Sequence, residues 1–80
     1  MNKIFIGEKI LDEISKRGLL KQYEKVEKFL KEGKMKNVDF RLRNPKSDNI
    51  YYFKINKQYR LWCTYKNNEI KIFHFDKHNY

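Results

Sequence analysis

IYYFKINKQYRLWCTYKNNEIKIFHF, residues 50–75, is the stretch on which the fold of this chain turns. Aromatic and β-branched residues dominate it, and Gly and Pro are absent, which is the composition of strands. Two short polar interruptions, Asn56-Lys57-Gln58 and Asn67-Asn68, divide it into strands over residues 50–55, 59–65 and 70–75. Asn67 and Asn68 both tolerate positive φ and can make a two-residue type I′ turn. That turn sets Lys66 opposite Glu69, Cys63 opposite Ile72 and Trp62 opposite Phe73. The first connection is open to two readings: a three-residue loop pairs Phe53 with Leu61 and Ile55 with Tyr59, whereas a two-residue loop pairs Ile55 with Arg60.

With the three-residue loop, Phe53, Ile55, Leu61, Cys63, Ile70 and Ile72 gather on one face. Tyr52, Lys54, Arg60, Trp62, Lys71, Phe73 and Phe75 share the other, which is both cationic and ring-bearing. Upstream, residues 3–6 are a short β-prone run ended by Gly7. Ile10, Leu11 and Ile14 recur at helical spacing over residues 8–17, with acids early, Lys16 and Arg17 late, and Gly18 as a stop. A second helix over residues 19–32 lines up Leu19, Tyr23, Val26 and Leu30 and ends at Gly33. Val38, Phe40 and Leu42 then alternate with Asp39, Arg41 and Arg43 in a strand pattern, and residues 44–49 are dense in turn formers. The predicted architecture is α+β: a helical hairpin packed on one face of a mainly antiparallel twisted sheet.

Eighty residues suit one domain, spanning residues 1–80, with an economical core. A charged fraction of 36% leans toward disorder, but 40% hydrophobic content with 16% aromatic supplies the burial that a folded chain needs. Nineteen Lys and Arg against ten Asp and Glu leave a net charge of +9, a self-repulsion that an anionic partner such as nucleic acid, a ribosome or an acidic protein relieves. No segment pairs a long apolar face with an acid-free basic face, which disfavours a membrane surface. Acids interrupt residues 1–14, so no signal peptide is expected there, and a single cysteine, Cys63, fits a reducing cytoplasm. Two histidines and one cysteine are too few for a typical zinc site, and no phosphate-binding glycine loop or serine elbow occurs, so neither metal nor cofactor is expected.

The succession Phe53-Lys54-Ile55, then Tyr59-Arg60-Leu61-Trp62, then an alternating strand and Asp76-Lys77-His78-Asn79-Tyr80 resembles the carboxyl half of RelE/ParE-superfamily toxins of type II toxin-antitoxin systems. The preceding strand and helical hairpin match that family's order of elements, so the resemblance covers nearly the whole chain. The ribonuclease members are the nearer branch, given the strand arginine after an aromatic and the terminal His and Tyr. The other branch, ParE-like proteins, poisons DNA gyrase. The resemblance implies metal-independent cleavage of messenger RNA on the ribosome. A ribose 2′-hydroxyl attacks the adjacent phosphate and leaves a 2′,3′-cyclic phosphate and a 5′-hydroxyl. It also implies an acidic antitoxin as partner.

Such chemistry needs a base near the hydroxyl, positive charge around the phosphorane and an acid for the leaving oxygen. By the resemblance, Arg60 holds the phosphate and its transition-state charge, for which a planar fork is suited. Lys54, expected opposite Arg60, serves as base or electrostatic partner. His78 is an acid or base candidate because imidazole titrates near neutrality, and Tyr80 donates a proton or stacks on a base. The bland alternatives are a surface ion pair for Arg60, an exposed strand lysine for Lys54 and a frayed end for His78 and Tyr80. The chain lacks the glutamate that some ribonuclease members carry before the arginine, and Asn79 separates its His and Tyr. Arg41, Arg43, Lys46, Lys57, Lys71 and Lys77 are the expected phosphate contacts, and Trp62 and Phe73 the stacking rings. His74 is expected to fill the sheet end, and Cys63 to face the core without a nucleophilic role. A non-toxic RNA-binding module of the same fold is a further reading.

Overall fold

A computed structural model of the chain describes residues 1–43 and 48–77. In chain order it forms β1 (Lys3–Ile6), α1 (Glu8–Lys16), α2 (Leu20–Lys31), one turn of 3₁₀ helix (Met35–Val38), β2 (Arg41–Leu42), β3 (Ile50–Lys54), β4 (Tyr59–Lys66) and β5 (Glu69–Lys77). The five strands make one sheet in the order β1-β5-β4-β3-β2. β1 runs parallel to β5 and the other neighbours are antiparallel, so the fold is α+β with a mixed, mainly antiparallel sheet. Among the described residues no helix is long and apolar enough to cross a membrane.

Local chemistry fixes both hairpins. Asn56 Oδ1 accepts from the backbone N–H of Gln58 at 2.8 Å and of Tyr59 at 2.9 Å, an Asx turn that holds the three-residue loop. Phe53 therefore pairs with Leu61 and Lys54 with Arg60. Asn67 and Asn68 sit at φ 54° and 62°, as a type I′ turn requires, and Lys66 pairs with Glu69. Both helices end on a left-handed glycine, Gly18 at φ 72° and Gly33 at φ 77°. Behind Gly18 the N–H of Leu19 reaches the carbonyl of Ile14, and behind Gly33 that of Lys34 reaches Phe29, so the last carbonyls are satisfied and the chain reverses.

The helices cover one face of the sheet. Ile14, Leu19, Tyr23, Val26 and Leu30 pack with Phe53, Ile55, Leu61, Cys63, Ile70 and Ile72 in one buried cluster. Each fully buried aliphatic or aromatic side chain there contributes about 1.5–3 kcal/mol. Asn2 joins the layers: its Nδ2 donates to the Leu30 carbonyl at 2.9 Å, and its Oδ1 accepts from the Tyr65 hydroxyl at 3.0 Å. Burial pushes the Cys63 thiol up to about 12, which makes it a core side chain, not a nucleophile.

Two expectations are corrected. The alternation Val38-Phe40-Leu42 is not one strand: Val38 closes the 3₁₀ turn, Asp39 adopts the left-handed region at φ 52°, and only Arg41 and Leu42 pair with β3. Val38 is buried in the core and Phe40 packs against it with neither lying in a strand, so a helical turn followed by a reversal satisfies the apolar pattern as well as a strand does. The second correction is a β-bulge between Trp62 and Cys63. Cys63 still pairs with Ile72, but Trp62 pairs with His74, not Phe73. One extra residue inverts the alternation beyond it. Phe75 therefore pairs with Leu61 on the helix side and stacks on Tyr59 at 5.4 Å, while His74 is exposed instead of filling the sheet end.

Candidate nucleic-acid interface

The face without helices carries Arg60, Trp62, Thr64 and Lys66 from β4, flanked by Ile50, Tyr52 and Lys54 from β3 and by Lys71, His74 and Asp76 from β5. β2 adds Arg41 opposite Tyr52, and β1 adds Phe5 opposite Lys71. Cations outnumber acids on this surface, and the rings lie among them.

Arg60 is its most constrained cation. The guanidinium carbon lies 4.9 Å from the Trp62 ring centroid and 5.4 Å from that of Tyr52, and the two rings are 5.0 Å apart. Asp76, placed directly opposite by the bulge, accepts from Arg60 Nε through Oδ1 at 3.2 Å and from Trp62 Nε1 through Oδ2 at 3.1 Å. One carboxylate thus fixes a cation and a ring together. Since the carboxylate engages only Nε, the terminal Nη groups of Arg60 have no hydrogen-bond partner among the described residues. A guanidinium gripped from behind, with its outer fork unspent, is suited to a phosphate.

Lys54 faces the same side, directly across from Arg60, and its Nζ pairs with Asp39 Oδ2 at 3.5 Å. Both ends of that pair are well exposed, so the interaction is worth about 1 kcal/mol or less and a phosphate can compete for the ammonium. Lys54 also borders a groove of about 430 Å³ whose rim includes Lys25, Lys57 and Asp39 and whose floor is Val26, Phe29, Val38 and Ile55.

Of the remaining expected residues, Arg43 reaches over Trp62, its guanidinium carbon 5.9 Å from the ring centroid. Arg41 is exposed on the open face, and Phe73 is 52% exposed. Lys71 is on that face too, 3.9 Å from Glu69. Two others lie apart. Lys57 is in the β3–β4 loop at the groove, and Lys77 pairs with Tyr59, which the register puts on the helix side. His78, Tyr80 and Lys46 lie outside the described residues.

Asp76 and His74 are the residues that sequence reasoning missed. An unbulged register opposes Arg60 to Phe75 and turns His74 toward the core, which hides both. The signal was the doublet Ile72-Phe73, after which Phe75 stands between polar His74 and Asp76 in the opposite phase. Trp62, Phe73, His74, Asp76, Arg43 and Ile50 line a hollow of about 310 Å³ beside Arg60.

Among curated proteins the chain is similar to an "Uncharacterized protein" from Haemophilus influenzae (strain ATCC 51907 / DSM 11121 / KW20 / Rd), 44% identical over 39 residues. That match takes in 49% of this chain and 39% of the relative's length. No family model matches the chain, and no solved structure matches it.

Proposed function

We propose that the chain is a RelE/ParE-type toxin of a type II toxin-antitoxin system, a metal-independent endoribonuclease that cleaves messenger RNA on the ribosome in the cytoplasm. The observation that carries this reading is Arg60 and Lys54 side by side on the uncovered face, with Arg60 packed against two adjacent rings and its terminal Nη groups without a hydrogen-bond partner among the described residues. A 2′-hydroxyl attack builds negative charge on the phosphorane oxygens, and preorganised cations lower its energy at little reorganisation cost. Arg60 grips the nonbridging oxygens, and Lys54 adds a second positive charge beside them. His78 and Tyr80, by resemblance to the family, move the protons at the attacking and leaving oxygens. Arg41, Arg43 and Lys71 hold flanking phosphates, and an acidic antitoxin silences the protein by covering this same face.

The test is expression of the full chain with primer extension on cellular transcripts. The expected result is growth arrest with new messenger RNA ends bearing 5′-hydroxyls, both lost in Arg60→Ala and in His78→Ala. Arrest that persists in both variants with transcripts intact removes the nuclease reading. Cleaved DNA trapped on gyrase would then select the gyrase-poison branch, and healthy cells with salt-sensitive RNA affinity the plain RNA-binding module.

A further inference from the structure

The hollow beside Arg60 is an odd feature for a purely electrostatic surface. Two rings and an imidazole, Trp62, Phe73 and His74, meet there with Ile50 at one side and the Arg43 guanidinium above the Trp62 ring. The bulge creates this convergence, because it lets Phe73 and His74, consecutive in sequence, both line the hollow opposite Trp62. Exposing a large ring costs solubility, yet Phe73 remains 52% exposed at the rim.

Its size and position narrow the ligand. About 310 Å³ is at the lower end of ligand pockets, which fits one flat heterocycle and not an extended molecule. Asp76 is the wall shared with the Arg60 site, one oxygen on each side. Arg60 and Trp62 are two residues apart on one strand, about 7 Å, a step that a single nucleotide spans from phosphate to base.

We propose that the hollow lined by Trp62, Phe73 and His74 is a subsite for one unpaired nucleobase of an RNA strand whose phosphate lies on Arg60. This rests on the RNA reading above and adds a selection to it. A base can enter only when splayed out of its helix, so the site admits single strands and rejects paired ones. Arg43, exposed and with its guanidinium carbon 5.9 Å from the Trp62 ring centroid, closes over the bound base as a second planar layer.

Trp62 is the chain's one tryptophan, so its emission reports on the hollow directly. The full chain is titrated with a 2′-O-methyl hexanucleotide, which lacks the attacking hydroxyl and cannot be cut, and in parallel with inorganic polyphosphate. Strong quenching by the oligonucleotide and little by polyphosphate is expected. Phe73→Ala and His74→Ala should each weaken oligonucleotide binding about tenfold and leave polyphosphate binding unchanged. Both side chains are exposed, and unchanged circular dichroism and melting confirm that the variants fold. If the oligonucleotide binds without quenching and both variants bind it as wild type does, the base subsite is refuted while the RNA reading stands. Failure to bind either ligand overturns the two together.

Discussion

The sheet presents two faces built from the same strands by the same alternation, and they solve opposite problems. On the covered face Phe53, Leu61 and Ile70 are fully buried, and the polar groups that enter, such as Asn2, are hydrogen-bonded. On the open face Arg60, Trp62 and Asp76 form a polar network at the surface, where each bond is individually weak and the arrangement matters more than the energy. The covered face holds the fold together, and the open face holds a geometry. A substitution should therefore harm stability or function according to the side it faces, and the variants below separate the two.

The largest effect is expected from Phe53→Ala. Removing a fully buried ring from the middle of the sheet should cost about 3–5 kcal/mol, against a total of roughly 5–15 kcal/mol for a small domain. Urea unfolding followed by circular dichroism measures it, and a loss below 1 kcal/mol would mean that the covered face is not the core. Next comes Arg60→Ala, which should lower RNA cleavage about 10²- to 10³-fold, the scale of one lost transition-state donor. Its melting temperature should fall far less than that of Phe53→Ala, since both side chains of the lost pair keep contact with solvent. A large fall in stability would make Arg60 structural and erase the contrast.

Asp76→Asn should fall between. The amide retains an acceptor for one of the two donors but not the charge, so cleavage should drop about tenfold, the worth of one charge-assisted hydrogen bond, with Trp62 emission shifted as the indole loosens. Unchanged cleavage would remove Asp76 from the site. The smallest effect concerns Cys63. Its folded thiol is raised from an ordinary 9.0 to about 12, so the folded state keeps a proton that the unfolded state releases. The resulting stability is complete below pH 9 and declines as pH rises from there toward 12. By pH 10 the difference between wild type and Cys63→Ala in urea should have narrowed by roughly 1 kcal/mol relative to pH 7. A difference constant with pH would contradict burial of the thiol.

Most of the fold was legible because its signals were local. The Asn67-Asn68 pair set the register of the last hairpin as far as Cys63 and Ile72, the three-residue reading of Asn56-Lys57-Gln58 is the one the Asx turn holds, and Gly18 and Gly33 marked both helix ends. The errors came where a local pattern had two physical solutions. Phe40 packs against the core and stacks on Tyr51 at 4.9 Å without belonging to a strand, so apolar alternation at residues 38–42 was satisfied by a turn. The bulge had a larger consequence for the candidate site. It left the Lys54–Arg60 pairing intact but exchanged Phe75 for His74 on the open face and brought Asp76 to Arg60. A sequence read at period two cannot show where an extra residue slips in, although the restarted phase after Ile72-Phe73 marks the place.

The parallel pairing of β1 with β5 bears on how the molecule reaches its final form. The β3–β4–β5 meander is closed by tight turns and costs little loop entropy, whereas Lys3 must find Glu69 across nearly the whole chain. The meander can thus form a nucleus early, with the first strand arriving late as a latch. Asn2 would engage both Leu30 and Tyr65 at that same moment, tying helix to sheet as the latch shuts. Hydrogen exchange should then find the amides of residues 3–6 opening more readily than those of β4, the first seam to part when the molecule breathes.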